Sequence, residues 1–200
     1  ADSLVVPYDT VYVIESPPLH EILKHFMKPS QNQIGEALLK TIGLEKTGIG
    51  TADAGAEVVT RQLSEWGIDS TEVVYYDGSG LSRHDLVSPR AIIKILMAMR
   101  GLDMWDDFYN SFPIAGVDGT IRSRMKGTKA ENNLRGKTGT IEFVRSLSGY
   151  VDAGNGVLLT FSFLANHFTT PVSEITKIQD AVGELLANFI ADEPKGPESK

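Results

Sequence analysis

Two hundred residues, 42% of them hydrophobic, are enough for one domain with its own core, which excludes a disordered chain and a disulfide-stapled mini-protein. The formal charge of −7 excludes a general nucleic-acid binder, because such proteins need a basic face. There are no cysteines, so disulfides, thiol nucleophiles and thiolate metal sites are excluded as well, a composition that fits an oxidising compartment. No run reaches the ~18 to 20 apolar residues of a membrane span, and none reads as a signal peptide. The chain opens on Ala1-Asp2 rather than methionine, and we expect a processed or truncated product. His20, His25, His84 and His167 form no helix-spaced pair beside a carboxylate, so neither a metal site nor a cofactor is expected.

Residues 1–9 read as an entry segment. Thr10 to Glu15 is β-branched and aromatic and predicts a short strand, ended by Ser16-Pro17-Pro18. Leu19, Ile22, Leu23, Phe26 and Met27 recur at helical spacing and predict an amphipathic helix to about Lys28, stopped by Pro29. Ser30-Gln31-Asn32 is a tight connection. Ile34, Ala37, Leu38 and Ile42 then mark a second helix ending at Gly43, and a third runs from Thr51 to Gly67 with Ala56, Val59, Leu63 and Trp66 inward. Val73 to Tyr76 is strand-like and leads into the turn-rich Asp77-Gly78-Ser79-Gly80-Leu81-Ser82-Arg83. Ser88-Pro89 caps a fourth helix with Ile92, Ile93, Leu96, Met97 and Met99 inward. Met104 to Tyr109 predicts a further helical turn, Phe112 to Gly119 a loop, and Thr120 to Gly127 a short basic helix.

Three strands follow: one around Lys137, then Val144 to Val151, then Val157 to Ala165, with Asp152 to Gly156 as the turn between the last two. Pro171 opens a final helix whose Ile175, Ile178, Val182, Leu185, Leu186 and Phe189 form one apolar stripe. Residues 192–200 are charged and contain proline, and read as a flexible tail. The layout is α+β: a helical region, an antiparallel three-strand meander, and a C-terminal helix packed on it.

The chemistry concentrates in Leu134-Arg135-Gly136-Lys137-Thr138-Gly139-Thr140-Ile141, the first strand of a hairpin. Strand alternation puts Lys137 and Gly139 on one face and Thr138 on the other. Gly139 lets another backbone approach, so a ligand bearing a carboxylate fits along this strand with its charge near Lys137. The alternative is a turn-flanked edge strand with a solvated lysine. Ser30-Gln31-Asn32 sets a hydroxyl and a carboxamide two residues apart on a bend, with simple helix capping by Ser30 or Asn32 as its alternative. Gly78 to Arg83 lacks the lysine of a phosphate loop and reads as a structural loop at a cleft mouth, where Asp77 and Arg83 pair with each other or shape the site. Arg122, Arg124, Lys126, Lys129, Arg135 and Lys137 read mostly as a solvated basic face.

A Ser-x-Asn bend followed by Lys-Thr-Gly on a strand is two of the three signatures of the penicillin-binding and serine β-lactamase group. Over residues 10 to 190 the chain resembles the C-terminal half of the penicillin-binding protein 4 type of D-alanyl-D-alanine carboxypeptidase/endopeptidase family. The similar segments are Ser16 to Leu19, Ser30 to Leu39, Tyr76 to Arg83, Leu86 to Arg90, Gly119 to Arg122, Met125 to Thr128, Lys137 to Thr140 and Leu147 to Tyr150. The resemblance implies that residues 10–191 are part of a β-lactamase/transpeptidase-like domain. It implies that Ser30 relays a proton, Asn32 bonds the substrate amide, and Lys137 supplies charge. Thr138 would take the terminal carboxylate, Gly139 would lie along the substrate, and the Thr140 N–H would serve an oxyanion hole. Placing Lys137 and Thr138 on opposite strand faces conflicts with a shared role unless twist or the Thr138 main chain intervenes.

The third signature, a Ser-x-x-Lys nucleophile, is missing. The only such spelling is Ser123-Arg-Met-Lys126, which lies between the other two elements, in the wrong order. The resemblance therefore implies part of a serine-type D-Ala-D-Ala carboxypeptidase of the bacterial periplasm, or another extracytoplasmic place. Its partners would be peptidoglycan stem peptides and β-lactams. A rival reading is a non-catalytic peptide- or carboxylate-binding module, or one half of a two-chain assembly, with the sheet edge covered by self-association or by an N-terminal half.

Overall fold

The structure is a computed structural model and describes residues 9–190. Most of the expected entry segment, residues 1–8, and the expected tail, 192–200, lie outside the described residues. The helical region comprises α1 (Leu19–Met27), α2 (Asn32–Thr47), α3 (Ala52–Glu65), α4 (Pro89–Met99) and α5 (Trp105–Ser111), with a two-residue antiparallel pair of β1 (Val73–Val74) and β2 (Leu86–Val87) between α3 and α4. A 3-10 turn at Gly119–Ile121 precedes the meander of β3 (Arg135–Ile141), β4 (Val144–Asp152) and β5 (Leu158–Asn166), and α6 (Val172–Asn188) is the last element of the described residues. The sheet order is β3-β4-β5, so among the described residues β3 is an edge strand.

Side-chain alternation along β4 divides the interior. Leu147 and Val151 face α6 and the 115–134 segment, in a core with Ile121, Leu134, Phe161 and Ala187. Tyr150 points the other way, into a core with Leu96 and Phe112, and its hydroxyl donates to the Leu96 carbonyl at 2.6 Å. A third cluster, built on Leu63, Ile68 and Ala91, joins α3 to α4. The sheet is thus covered on one face by α6 and on the other by α4 and α5, the expected α+β layout.

Local chemistry explains most element ends. Ser88 caps α4, its hydroxyl accepting from the Ala91 N–H at 3.0 Å, with Pro89 as the first helical residue. Thr51 caps α3 in the same way, and Gly48 ends α2 in the left-handed conformation that glycine tolerates.

Several expectations need correction: on α6 the buried line is Gln179, Gly183 and Ala187, while Ile178, Leu185 and Phe189 of the expected stripe stand exposed. Thr10 to Glu15 is not a strand: no described strand pairs with it, and Val11, Tyr12, Val13 and Ile14 stand exposed. The second helix runs a turn past Gly43, and its inward line is Gly35, Leu39 and Gly43, with Ala37 and Ile42 exposed. Met97, expected inward, is 59% exposed on α4. Thr120 to Gly127 is no helix beyond the 3-10 turn, which ends at Ile121, and Met125 takes a positive φ of 58° that no right-handed helix contains. Nor is the basic set wholly solvated. Arg124 is 8% exposed and its Nε donates to Asp180 at 2.7 Å, while the Arg135 guanidinium lies 4.5 Å from the centre of the Tyr109 ring.

One close approach fixes the loop that borders the site. A Cβ on Gly35 of α2 would lie 2.1 Å from the Gly78 carbonyl oxygen, and one on Gly78 would lie 2.3 Å from that of Gly35. The Gly78 N–H donates to Glu36 Oε1 at 3.0 Å across the same contact. Gly35→Ala is expected to push the 77–83 loop off α2 and to lower unfolding stability in urea by roughly 1–3 kcal/mol, the usual cost of forcing atoms into a packed contact. An unchanged urea midpoint would show that the contact is not tight.

Candidate active site

The site begins with the bend after α1. The Gln31 N–H donates to the Phe26 carbonyl at 3.1 Å, and Ser30 is held at a φ of 62°, a conformation rare outside glycine and asparagine. The residue before α2 is Gln31, with no side-chain cap, so the capping role considered for Ser30 and Asn32 is not used. Instead the Ser30 hydroxyl accepts a 2.6 Å hydrogen bond from Lys137 Nζ, 107 residues away.

Lys137 is half-buried on β3, and its Nζ also donates to the Thr138 carbonyl at 2.7 Å. Burial pulls its pKa from 10.5 down to about 8, so it is still mainly cationic at neutral pH. An ammonium group only donates, so Ser30 must accept from it, and the Ser30 hydrogen is left for another acceptor.

Lys137 and Thr138 meet through the main chain, whatever faces their side chains take. Gly136 N–H donates to the Pro113 carbonyl at 3.0 Å, which points that residue's backbone groups away from β4. Alternation then turns the N–H and C=O of Thr138 and Thr140 to the same outer edge. Lys137 reaches the Thr138 carbonyl there, while the Thr138 hydroxyl donates to Thr120 Oγ1 at 2.8 Å. A Cβ on Gly139 would run into Ser146 Oγ at 2.5 Å, so the glycine suits the cross-strand neighbour as well as an approaching ligand.

Ser30, Asn32, Lys137, Thr138, Gly139 and Thr140 all line one cleft of about 830 Å³. The same cleft is also lined by Val59, Leu63, Trp66, Val73 and Ile95, which belong to the α3–α4 cluster. Tyr75 lines the cleft too. Burial first, and then the carboxylates of Asp85, Asp77 and Glu36, push its phenol to about 12, so it remains a neutral donor rather than a base.

The 77–83 loop is organised by Asp77, whose carboxylate accepts from the N–H groups of Gly80 at 2.6 Å and Ser82 at 2.8 Å. Burial works against the ionised form, but these bonds outweigh it and hold the carboxyl below its usual range. With those N–H groups spent on a carboxylate, the loop is no phosphate cradle. Arg83 does not pair with Asp77; it pairs with Glu142 at 2.7 Å, joining the 77–83 loop to the β3–β4 turn.

Sequence reasoning missed the residues that tie the two cleft walls together. Lys28 Nζ donates to the Phe112 carbonyl at 3.0 Å and to Asp118, and its own carbonyl accepts from the Thr120 N–H at 3.1 Å. Asp118 Oδ1 accepts from the Ile114 N–H at 2.9 Å. Nothing in the spelling around Lys28 announces this; for Thr120 the signal was its place in the Gly119 to Arg122 segment.

Residues 5–189 match the D-Ala-D-Ala carboxypeptidase 3 (S13) family. The chain belongs to that family. It is 40% identical over 188 residues to the D-alanyl-D-alanine carboxypeptidase of Actinomadura sp. (strain R39), which covers 90% of this chain and 34% of that protein. Penicillin binding protein 4 of Haemophilus influenzae, solved with a β-lactam, superposes with a TM-score of 0.78 at 28% identity, over 86% of this chain and 42% of that one. The TLA-3 extended-spectrum β-lactamase, 14% identical, shares the fold at a TM-score of 0.63, over 84% of this chain and 62% of that one. The family member therefore carries part of the penicillin-binding/β-lactamase fold. It spans about a third of the length of the curated relatives it matches.

The lowered pKa of Lys137 has a signed consequence. Its folded value of about 8 lies below the ordinary 10.5, so between these two the unfolded chain binds more protons and stability rises with pH. Below about 8 the full cost of burying the charge is present. Lys137→Met removes that cost, so its stability relative to the unsubstituted chain is expected to be most favourable near pH 7. Urea unfolding should show this relative gain shrinking as pH climbs through the window. A pH-independent difference would contradict the burial.

Proposed function

We propose that the chain is part of a serine-type D-Ala-D-Ala carboxypeptidase/endopeptidase that cleaves peptidoglycan stem peptides through an acyl-enzyme and binds penicillin. The observation that carries this reading is the Ser30–Lys137 hydrogen bond of 2.6 Å in a cleft bordered by the free edge of β3. A D-Ala-D-Ala peptide lies along that edge, paired with the outward backbone groups of Thr138 and Thr140.

Asn32 bonds the amide of the peptide. Lys137 attracts its terminal carboxylate, and its charge keeps the Ser30 proton directed into the cleft. Ser30 passes that proton to the leaving D-alanine nitrogen, taking another from the general base. The Thr140 N–H stabilises the oxyanion that forms on the scissile carbonyl. The attacking serine is supplied by a Ser-x-x-Lys element outside residues 1–200, seated against the apolar lining of the cleft. The acyl-enzyme is then hydrolysed without metal or cofactor. This activity places the protein in the bacterial periplasm or another extracytoplasmic space.

A second reading, one half of a two-chain assembly, draws on the exposed apolar residues of the 11–14 segment and on Leu86, 61% exposed beside the cleft. Labelled penicillin separates the alternatives. No covalent label is expected on residues 1–200 alone; label there would overturn the assignment of the nucleophile to another segment. Light scattering on the same sample tests self-association. In the full-length protein that carries these residues, Lys137→Ala is expected to slow penicillin acylation by at least about tenfold. An undiminished rate would remove the role given to Lys137.

A further inference from the structure

Arg145 is the basic residue of β4, and none of the roles above uses it. It stands on the central strand of the sheet, in register with Ala165 of β5 on one side and with Thr140 of β3 on the other. Its Nη1 donates to Thr140 Oγ1, a bond whose direction is fixed because a guanidinium has no acceptor. Burial first, and then the Arg124 guanidinium, lower its pKa from the usual arginine value, while Asp180 of α6 works the other way. Arg124 is itself committed to α6, to Asp180 at 2.7 Å and to Gln179 Oε1 at 3.2 Å. The Arg145 side chain is thus set between α6 and the last turn of the edge strand.

The ladder makes its bond to Thr140 matter. The Gly136 N–H points away from β4, so by alternation Thr138 and Thr140 also turn their main-chain groups outward. Thr140 and Arg145 therefore face each other as a pair that exchanges no main-chain hydrogen bonds. Side chains come closest at such pairs, and the Arg145–Thr140 bond is the direct tie between the strands at that level. The tie sits where the strand is least supported. Thr140 is exposed and adjoins Ile141, the last residue of β3, and the turn beyond it passes through Phe143 at a φ of 61°. Strand ends with few buried contacts are the first to open.

We propose that Arg145 is a positioning residue for the oxyanion hole: by holding the Thr140 side chain from the central strand, it fixes the direction of the Thr140 N–H at the outer edge of β3. This rests on the reading of the cleft as a D-Ala-D-Ala site and extends it to a residue that does not touch the ligand. Arg145 shares the α6 face of β4 with Leu147 and is not among the described residues that line the cleft. A donor aimed at an oxyanion acts on the transition state more than on the bound peptide, so loss of its aim lowers kcat and spares KM.

The test is release of D-alanine from an N-acylated D-Ala-D-Ala dipeptide by the full-length protein that carries these residues, read as kcat and KM separately. Arg145→Met keeps the apolar stem and removes the guanidinium. It is expected to lower kcat roughly tenfold with KM within about twofold. Thr140→Val removes the same bond from its other partner, keeps the N–H, and is expected to match that loss. Because both delete one bond, the double variant is expected to stay within about twofold of either single one. Arg145→Lys retains a donor and is expected to fall between Arg145→Met and the unsubstituted protein. A retained kcat, a loss confined to KM, multiplied losses in the double variant, or an Arg145→Lys as slow as Arg145→Met each overturn the assignment. Urea unfolding checks that the variants are folded under assay conditions. Should Arg145→Met not be, Thr140→Val carries the same expectation, and its retained kcat overturns the assignment alone. An unsubstituted protein that releases no D-alanine overturns the reading of the cleft itself.

Discussion

The site depends on a lysine ammonium held by neutral oxygens. Lys137 is half-buried, and desolvation is what moves its pKa. The Ser30 hydroxyl and the Thr138 carbonyl replace part of its lost hydration, at 2.6 and 2.7 Å. Ser30 can do so only from a positive-φ bend, a conformation that costs on the order of 1–3 kcal/mol unless its surroundings enforce it. Those surroundings are the Gln31 bond back to α1 and the Lys28 tether to the 112–120 segment. An exposed lysine would have needed none of this.

The edge position of β3 turns the same residues outward. A free edge is a hazard in most proteins, since its backbone groups recruit other strands. Here part of the edge is already occupied: Ile114 bridges to Arg135, with Ala115 N–H donating to the Leu134 carbonyl at 2.9 Å and Gly136 N–H to the Pro113 carbonyl at 3.0 Å. That bridge covers the start of the strand and fixes which of its residues face outward. Beyond it lie Thr138 and Thr140, beside the lysine and the serine. The 112–120 segment thus blocks the edge at one end and anchors the Ser30 bend at the other, which couples the two cleft walls through one short piece of chain.

The sequence revealed what is local and concealed what is long-range. The meander was legible because β-branched runs alternate between turns, and α4 because Ser88-Pro89 is a capping signature with its own geometry. The inward line of α2 was not, since Gly35 and Gly43 pack by letting backbone approach and leave no trace on a hydrophobic stripe. Thr10 to Glu15 carries full strand propensity, but propensity does not supply the neighbouring strand that a ladder requires. Ser30, Asn32 and the Lys137 strand could be named from a two-part motif, and the structure brings them to one cleft. Lys28 and Asp118 could not, because their contacts span 84 to 90 residues of sequence. The same distance hid the Arg83–Glu142 pair, 59 residues apart, behind the nearer and wrong partner Asp77.

The cleft is divided chemically in a way that bears on how its parts act together. Part of its lining is donors and acceptors already committed to each other; another part is the apolar set Val59, Leu63, Trp66, Val73 and Ile95. Apolar area of this kind gives no orientation to a peptide, yet it stabilises a packed segment in proportion to the area it covers. On the proposed reading, a helix bearing the nucleophile takes the apolar part, and the substrate takes the polar part. The aliphatic surface then fixes the distance between serine and substrate, while Lys137, Ser30 and the β3 edge fix the direction of approach. Hydrophobic contact is non-directional and hydrogen bonding is not, so each kind of surface does the part of the positioning that its physics allows.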